Sequence, residues 1–195
     1  MPATPDLPPD LSAPELSAAP IVTTRGDRRT LEFTPGDIQS EMRLSRPEAL
    51  VLPYARAMMC FALLAPRPRH ILMVGLGGGS LAKFCHRHFP DTRITVLEVR
   101  ADVIALRGQF QVPPDDARLR VLHCDAADWL AGSGDGGDGD VDVLLVDGFD
   151  TAGLPQALSS AGFYAHCRRA LRPGGVLVAN IFTYDPGYVA AVQRL

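Results

Sequence analysis

The feature that most constrains the fold is an unbroken apolar run that leads directly into a cluster of glycines. The run extends from Ile71 to Val74, and it is followed by Gly75, Gly77, Gly78 and Gly79. An apolar run without alternation predicts a parallel strand that is buried on both faces of a sheet. Glycines after such a strand allow a tight turn whose backbone a ligand can approach closely. The sequence therefore predicts a central strand that ends at a ligand-binding turn.

A second predicted strand carries a carboxylate close to its end. Residues 92–99 read TRITVLEV, and Glu98 lies 23 residues after Gly75 (98 minus 75). An acidic residue at about this distance from a glycine turn is typical of a group that bonds the hydroxyls of a ribose. The glycines form the pattern G-x-G-x-x-S, with Ser80 where a dinucleotide-binding turn has a third glycine. The turn and the carboxylate together predict a nucleoside site.

The rest of the chain continues the alternation of strands and helices. Further strands are predicted at 119–123, 141–146 and 176–182, with helices between them. Alternation at this interval predicts right-handed crossovers and a parallel sheet with helices on both faces. The predicted fold class is therefore α/β with a Rossmann-like sheet, and residues 48–195 are expected to form the cofactor-binding domain.

Two smaller segments precede this domain. Residues 1–20 contain six prolines and little apolar periodicity, which predicts a disordered extension. Residues 21–47 contain short β-prone runs broken by turns, and these runs predict a small antiparallel β ribbon. The helix after the ribbon is predicted over 48–64, with Pro53 either inside its first turns or at its true start.

Carboxylates also follow the later predicted strands. Asp125 follows the third strand, and the fourth strand leads into Asp147, with Asp150 three residues later. Ligands of open α/β sheets bind at the carboxyl edge of the strands. We therefore expect the glycine turn, Glu98 and these aspartates to meet at one ligand site.

The order and spacing of these motifs resemble those of the spermidine synthase-like aminopropyltransferases, which share their fold with the S-adenosylmethionine-dependent methyltransferases. The resemblance extends from about residue 30 to residue 182, and its segments are DIQS, ILMVGLGGGS, VLEV, CDA, LLVDGFD and LRPGGVLVANIF. It implies a transferase of polyamine biosynthesis that binds S-adenosylmethionine or its decarboxylated form. The reaction it implies is aminopropyl transfer to a small-molecule amine or other nucleophile.

The resemblance also implies how the cofactor is held. Gly75 and Gly77 would approach the sulfonium end of the cofactor, Gly78 in the same turn would also contact the cofactor, and Glu98 would hold its ribose. Asp125 would lie beside the adenine, and Gln39 would belong to the pocket shared by cofactor and substrate. These roles follow from matching positions in the quoted motifs.

The catalytic groups implied by the resemblance lie in and near the loop after the fourth strand. Asp150 is the residue expected to help deprotonate and orient the attacking amine. Asp147 opens the loop, borders the cofactor and assists Asp150, and Tyr54 is a further candidate assistant.

Two departures from the family pattern affect the expected substrate. Polyamine-using members resemble G-G-G-D-G-G at the turn, and Gly78 stands where their aspartate engages the amine of the cofactor. Those members also carry Y-x-E, whereas this chain has Tyr54-Ala55-Arg56. If Arg56 faced the site, its charge would oppose a cationic polyamine and favour a carboxylate or phosphate. The alternative is that Arg56 points to solvent.

Three other functions stay open at this point. Methyl transfer from intact S-adenosylmethionine is favoured by the loss of the acid at Gly78. A non-catalytic nucleoside-binding module is suggested by the disordered extension and because the sequence does not continue into the two strands that normally close this fold. Either the sheet ends at five strands, or the sequence is a fragment, which would leave a sheet edge as a candidate homodimer surface. A nicotinamide-dependent dehydrogenase would use the glycine turn and Glu98, but it gives Asp125 and the VDGFD loop no role.

Composition narrows the expected partners and location. The net charge of −3 lacks the basic excess typical of nucleic-acid-binding proteins. The longest apolar stretch, residues 49–65, is interrupted by Pro53 and Arg56 and is shorter than the ~20 residues of a membrane span. Neither nucleic acid nor a membrane is therefore an expected partner. Four cysteines without a C-x-x-C pair or a secretory leader predict reduced thiols, a cytoplasmic location and no metal site.

Overall fold

The computed structural model describes residues 19–133, 139–148 and 155–181, together with positions 189, 192 and 193. Four predictions fall wholly or mainly outside these described residues. Two of them are the extension at 1–20 and Asp150. The other two are a flexible glycine-rich loop that the sequence predicts over 132–140, of which 134–138 lie outside, and a last helix that it predicts over 188–195.

The described strands form two sheets. An antiparallel sheet has the order β1-β2-β3 and comprises β1 (Ile21–Arg25), β2 (Arg28–Glu32) and β3 (Ile38–Arg43). A parallel sheet has the order β6-β5-β4-β7-β8 and comprises β4 (His70–Val74), β5 (Arg93–Glu98), β6 (Leu119–His123), β7 (Val141–Val146) and β8 (Leu171–Ala179). The predicted ribbon and the predicted Rossmann-like sheet are thus both confirmed.

Helices connect the parallel strands. They are α1 (Pro53–Met58), which continues as a 3₁₀ turn over Met59–Leu63, α2 (Ser80–His88), α3 (Ala101–Ala105), α4 (Ala126–Asp128), which continues as a π turn over Trp129–Ser133, α5 (Gln156–Ser159) and α6 (Ala161–Ala170). Pro53 marks the true start of the helix predicted over 48–64, because the fixed φ of proline suits a first helical position. Within the described ranges, every helix is too short or too polar to cross a bilayer.

Side chains of β4 alternate between two apolar clusters. Ile71 and Met73 pack with the ribbon, α1 and α2, whereas Leu72 and Val74 pack with α4, α5 and α6. Successive side chains of a strand point to opposite faces, so a strand that is apolar at every position needs cover on both sides. β4 has that cover and lies at the centre of the sheet, as predicted.

His70 is a buried histidine at the amino end of β4. Its Nε2 lies 3.0 Å from Thr95 Oγ1, and its Nδ1 accepts a hydrogen bond of 3.0 Å from Arg93. Burial, together with the nearby Arg93 charge, lowers the pKa of His70 to about 4. The fold therefore holds this imidazole in its neutral form.

We expect acid to destabilise the fold through His70. Its folded-state pKa lies below the ordinary value of 6.5, so its stabilising contribution is complete above pH 6.5 and is lost as the pH falls toward 4. The loss in free energy of unfolding is roughly 3 kcal/mol. Urea unfolding at pH 7 and pH 4.5 would measure it, with the non-titrating variant His70→Gln as control. An equal pH dependence in both proteins would contradict this expectation.

Candidate active site

A cavity of about 500 Å³ opens at the carboxyl edge of the parallel sheet. The cavity wall includes side chains or backbone from the residues that end or follow the five strands of the sheet. Ribbon residues 37–40 also line it. This volume is typical of sites that enclose small molecules. The predicted site residues that the structure brings together here are Gln39, Tyr54, Gly75, Gly77, Glu98, Asp125 and Asp147.

Where the glycine turn after β4 lies against the end of the neighbouring strand β7, there is no room for a side chain. Gly75 has a φ of +92°, and a Cβ atom built on it would lie 2.3 Å from the backbone oxygen of Asp147. Gly77 also has a positive φ, but its nearest neighbour would be Ser40 at 3.8 Å. Gly75 is therefore required by the packing of β4 against β7. Gly77 instead exposes its backbone to the cavity, because it has no side chain to fill the space.

Gly78 is turned away from the cavity wall, to which the other two glycines contribute. A Cβ atom at this position would lie 2.6 Å from Ser40 Oγ and 2.8 Å from a ring carbon of Phe110, which is 1% exposed. An aspartate at position 78 would have to displace both side chains. The predicted contact of Gly78 with a cofactor stays a prediction.

Glu98 is held by the backbone on both of its oxygens. Oε2 accepts a 2.8 Å hydrogen bond from the Leu76 amide in the glycine turn, and Oε1 accepts one of 2.8 Å from the Arg100 amide. A carboxylate can accept about four hydrogen bonds, so Glu98 keeps acceptor capacity for a ligand in the cavity. Through its bond to the Leu76 amide, Glu98 links the end of β5 to the turn that follows β4.

Asp125 and Gln39 line the cavity but also have local partners. Oδ1 of Asp125 caps α4 by accepting hydrogen bonds from the amides of Ala127 (2.7 Å) and Asp128 (3.2 Å). Gln39 Nε2 donates to Asp37 Oδ2 at 2.9 Å. Asp37 lines the cavity as well and was not among the predicted site residues. These bonds restrict the conformations of two predicted binding side chains.

The ribbon covers the cavity through contacts that the sequence did not indicate. Ser40 Oγ lies 3.4 Å from Ser80 Oγ at the start of α2. Cζ of Arg100 lies 4.3 Å from the centre of the Phe33 ring, and the same guanidinium donates two hydrogen bonds to Asp102, of 3.0 and 2.6 Å. The cation–π contact holds the ribbon against the sheet edge, and the ion pair with Asp102 fixes the guanidinium that makes it.

Asp147 lies at the meeting point of β4, β7 and β8 and has two side-chain partners. Asn180 Nδ2 donates to its Oδ1 at 2.9 Å, and the Tyr54 hydroxyl also forms a hydrogen bond with its carboxylate. Burial raises the pKa of Asp147, and the two donors oppose that effect. Burial and the neighbouring Asp147 raise the pKa of Tyr54, which keeps the phenol protonated as a donor.

Asn180 is a site residue that the sequence analysis missed. It directly follows β8, just as Asp125 follows β6 and Asp147 follows β7. The sequence analysis placed the fifth strand at 176–182, with Asn180 inside it, whereas β8 ends at Ala179. The rule of a polar residue after a parallel strand therefore applies to Asn180 only once the true end of β8 is known.

Arg56 does not face the site in this structure. Its Nη1 donates to the backbone oxygens of Leu50 (3.0 Å) and Val51 (2.7 Å), the side chain is exposed, and it does not contribute to the cavity wall. The interpretation in which Arg56 repels a polyamine and attracts an anion is therefore wrong. The guanidinium instead fixes the loop that enters α1.

Comparison with known proteins identifies the family. A family model described as the spermine/spermidine synthase domain matches residues 52–188, which is more than half of the chain. The chain belongs to the spermine/spermidine synthase family. Within it, the chain is 38% identical over 185 residues to a polyamine aminopropyltransferase of Chromobacterium violaceum, covering 93% of this chain and 69% of that protein.

Two solved structures resemble this member of the family. A probable spermidine synthase from Corynebacterium glutamicum has a TM-score of 0.71 and 27% identity, over 83% of this chain and 60% of that one. Human methyltransferase-like protein 13 in complex with SAH has a TM-score of 0.64 and 28% identity, over 73% of this chain and 71% of that one. The chain thus spans about two thirds of the length of these three proteins.

Proposed function

We propose that this chain binds an S-adenosylmethionine-type cofactor in the cavity and transfers an aminopropyl group from the cofactor's sulfonium to an amine acceptor. The observation that supports the proposal is the charge of the cavity wall. Among the described residues, four carboxylates and one guanidinium line it, and that guanidinium is paired with Asp102. A wall of this charge favours a sulfonium and an amine, both cationic, over anionic ligands. The lining carboxylates are Asp37, Glu98, Asp125 and Asp147.

The shape of the cavity also fits a cofactor of this class. Its volume of about 500 Å³ can hold an adenosine and a short side chain. Gly75 and Gly77 bring backbone to the wall, and Glu98 is fixed with acceptor capacity remaining. We propose that Glu98 bonds the ribose, that Asp125 lies at the adenine, and that Gln39 contacts the cofactor from the ribbon. Gly78 would contribute through its backbone alone.

Asp147 is the described residue best suited to act on the acceptor. When bound, a sulfonium cofactor supplies the electrophilic carbon for displacement. The carboxylate of Asp147 would orient the acceptor amine and take up its proton as the amine becomes alkylated. Tyr54 would support the ionised carboxylate as a hydrogen-bond donor. Asp150, outside the described residues, is proposed as a second carboxylate for the same amine.

Methyl transfer from intact S-adenosylmethionine is the second candidate. Two observations favour it: Ser40 and Phe110 occupy the space of an acid at position 78, and the methyltransferase-like protein 13 structure resembles this fold. Without that acid, one partner for the amine of the decarboxylated cofactor is missing. The carboxylate of intact S-adenosylmethionine would also meet less electrostatic repulsion without an acid at position 78.

Calorimetric titration with S-adenosylmethionine and with its decarboxylated form tests the proposal. Tighter binding of the decarboxylated form, followed by its conversion to methylthioadenosine as putrescine or another diamine gains the aminopropyl group, is the expected result. Tighter binding of the intact form and production of S-adenosylhomocysteine would replace the proposal by methyl transfer. Binding without turnover of either would favour a non-catalytic nucleoside-binding module. The cytoplasmic location and a homodimer stay predictions.

Glu98→Gln is expected to weaken cofactor binding by roughly 1–3 kcal/mol, because a charge-assisted pair of bonds to the ribose becomes a neutral one. The variant keeps the size of the side chain, but its single oxygen can accept from only one of the two backbone amides, Leu76 or Arg100, that bond the two oxygens of Glu98. Calorimetry measures the affinity, and urea unfolding at the same pH measures any loss of the fold. Unchanged affinity would mean that Glu98 only links β5 to the glycine turn and does not bond the ribose.

A further inference from the structure

Asn180 is held beside Asp147 by the backbone of the sheet. β7 and β8 are parallel, and Val146 pairs with Ala179 in their last register position. The backbone N–H of Asn180 continues the hydrogen bonding between the two strands by donating a 2.8 Å hydrogen bond to the Val146 backbone oxygen. The residue that follows β7 and the residue that follows β8 therefore lie side by side. This places Nδ2 of Asn180 2.9 Å from Oδ1 of Asp147.

The chemistry of the amide suits a carboxylate that must stay ionised. The Asn180 amide group donates through nitrogen and does not titrate, so it supports the charged form of Asp147 at every pH near neutrality. An aspartate at position 180 would instead place a like charge at hydrogen-bond distance. The amide also fixes which way Oδ1 of Asp147 points, and Asn180 itself lines the cavity.

We infer that Asn180 is a positioning residue that holds the Asp147 carboxylate ionised and aimed at the acceptor amine. The inference rests on the proposed function, in which Asp147 receives the proton of that amine. It also has support from electrostatics, because burial raises the pKa of Asp147 while the bond from Asn180 counteracts it.

The test uses two substitutions at this position and one control. Asn180→Leu removes the donor and keeps the branching at Cγ, although leucine is larger, and Asn180→Gln restores an amide on a longer stem. Leu177→Ala, on the same strand, removes packing in the cluster around α6 without removing a donor. Thermal unfolding of each protein identifies any variant that fails to fold, and Leu177→Ala reports what loosening of β8 does by itself.

Two readouts separate positioning from support of the fold. The first is a carbon NMR titration of the Asp147 carboxyl group in protein with labelled aspartate, which needs no turnover. In Asn180→Leu we expect the pKa of Asp147 to rise by about one unit, and to return part of the way in Asn180→Gln. The second readout is the pH profile of kcat/KM for the acceptor, whose acid limb should move to higher pH by the same amount.

The outcomes distinguish this inference from the proposed function. If the wild-type protein shows no turnover but Asn180→Leu shifts the titration of Asp147, the transferase proposal fails and Asn180 still controls the carboxylate. If Asn180→Leu lowers turnover with no change in the titration or in the pH profile, the inference is overturned. The inference is also overturned if Leu177→Ala produces the same shift, since loosening of the strand would then explain it.

Discussion

Gly75→Ala is expected to lower the free energy of unfolding by roughly 3–5 kcal/mol and to abolish cofactor binding. The alanine Cβ would lie 2.3 Å from the backbone oxygen of Asp147, in a turn with a φ of +92° that L-residues rarely adopt. Relief of this clash requires β4 and β7 to move apart, and Asp147 would move with its strand. Urea unfolding and calorimetry with S-adenosylmethionine measure the two losses.

Gly36→Ala is the matched control for that variant. Gly36 has nearly the same backbone angle, a φ of +88°, but nothing lies within 4 Å of a Cβ built on it. Its replacement should cost only the backbone strain, about 1 kcal/mol, and should leave the cavity intact. If both variants lost the same stability, the backbone angle and not the contact with Asp147 would be the cause.

Asp147→Asn is expected to lower turnover by about 10²–10⁴-fold while changing cofactor affinity much less. The asparagine keeps the shape of the side chain but can neither take up a proton nor carry the charge that orients an amine. In the wild-type protein, activity should fall as the pH drops, because the base must be ionised. The raised pKa of Asp147 places this fall at higher pH than for an ordinary aspartate. Steady-state kinetics across pH, with calorimetry for the cofactor, test both statements.

Asp142→Asn controls for the loss of a buried carboxylate on the same strand. Asp142 is 1% exposed and accepts hydrogen bonds from the backbone amides of Arg69 (2.9 Å) and His70 (2.8 Å), at the edge of the sheet opposite the cavity. Its replacement should destabilise the fold while the folded protein keeps kcat within about twofold. A loss of turnover as large as that of Asp147→Asn would mean that loosening of β7, not the chemistry of Asp147, explains both results.

Local patterns in the chain predict much of the site. An apolar run without alternation marks β4 as a strand covered on both faces, and the parallel order of the strands then sends Glu98, Asp125 and Asp147 to one edge. These predictions succeed because burial of a strand and the direction of a crossover depend on residues close together in the chain.

The sequence by itself thus determined the Rossmann-like sheet, the ribbon, and seven residues of the cavity wall, while the tertiary structure decided how their side chains are paired. The bond from Asn180 to Asp147 joins residues 33 positions apart, and the contact of Ser40 with Ser80 joins residues 40 positions apart. The tertiary structure also turned Arg56 toward the carbonyls of its own loop and closed the space beside Gly78. Such contacts depend on strand order, register and the path of the ribbon, because these bring distant segments together. No periodicity within either segment encodes them.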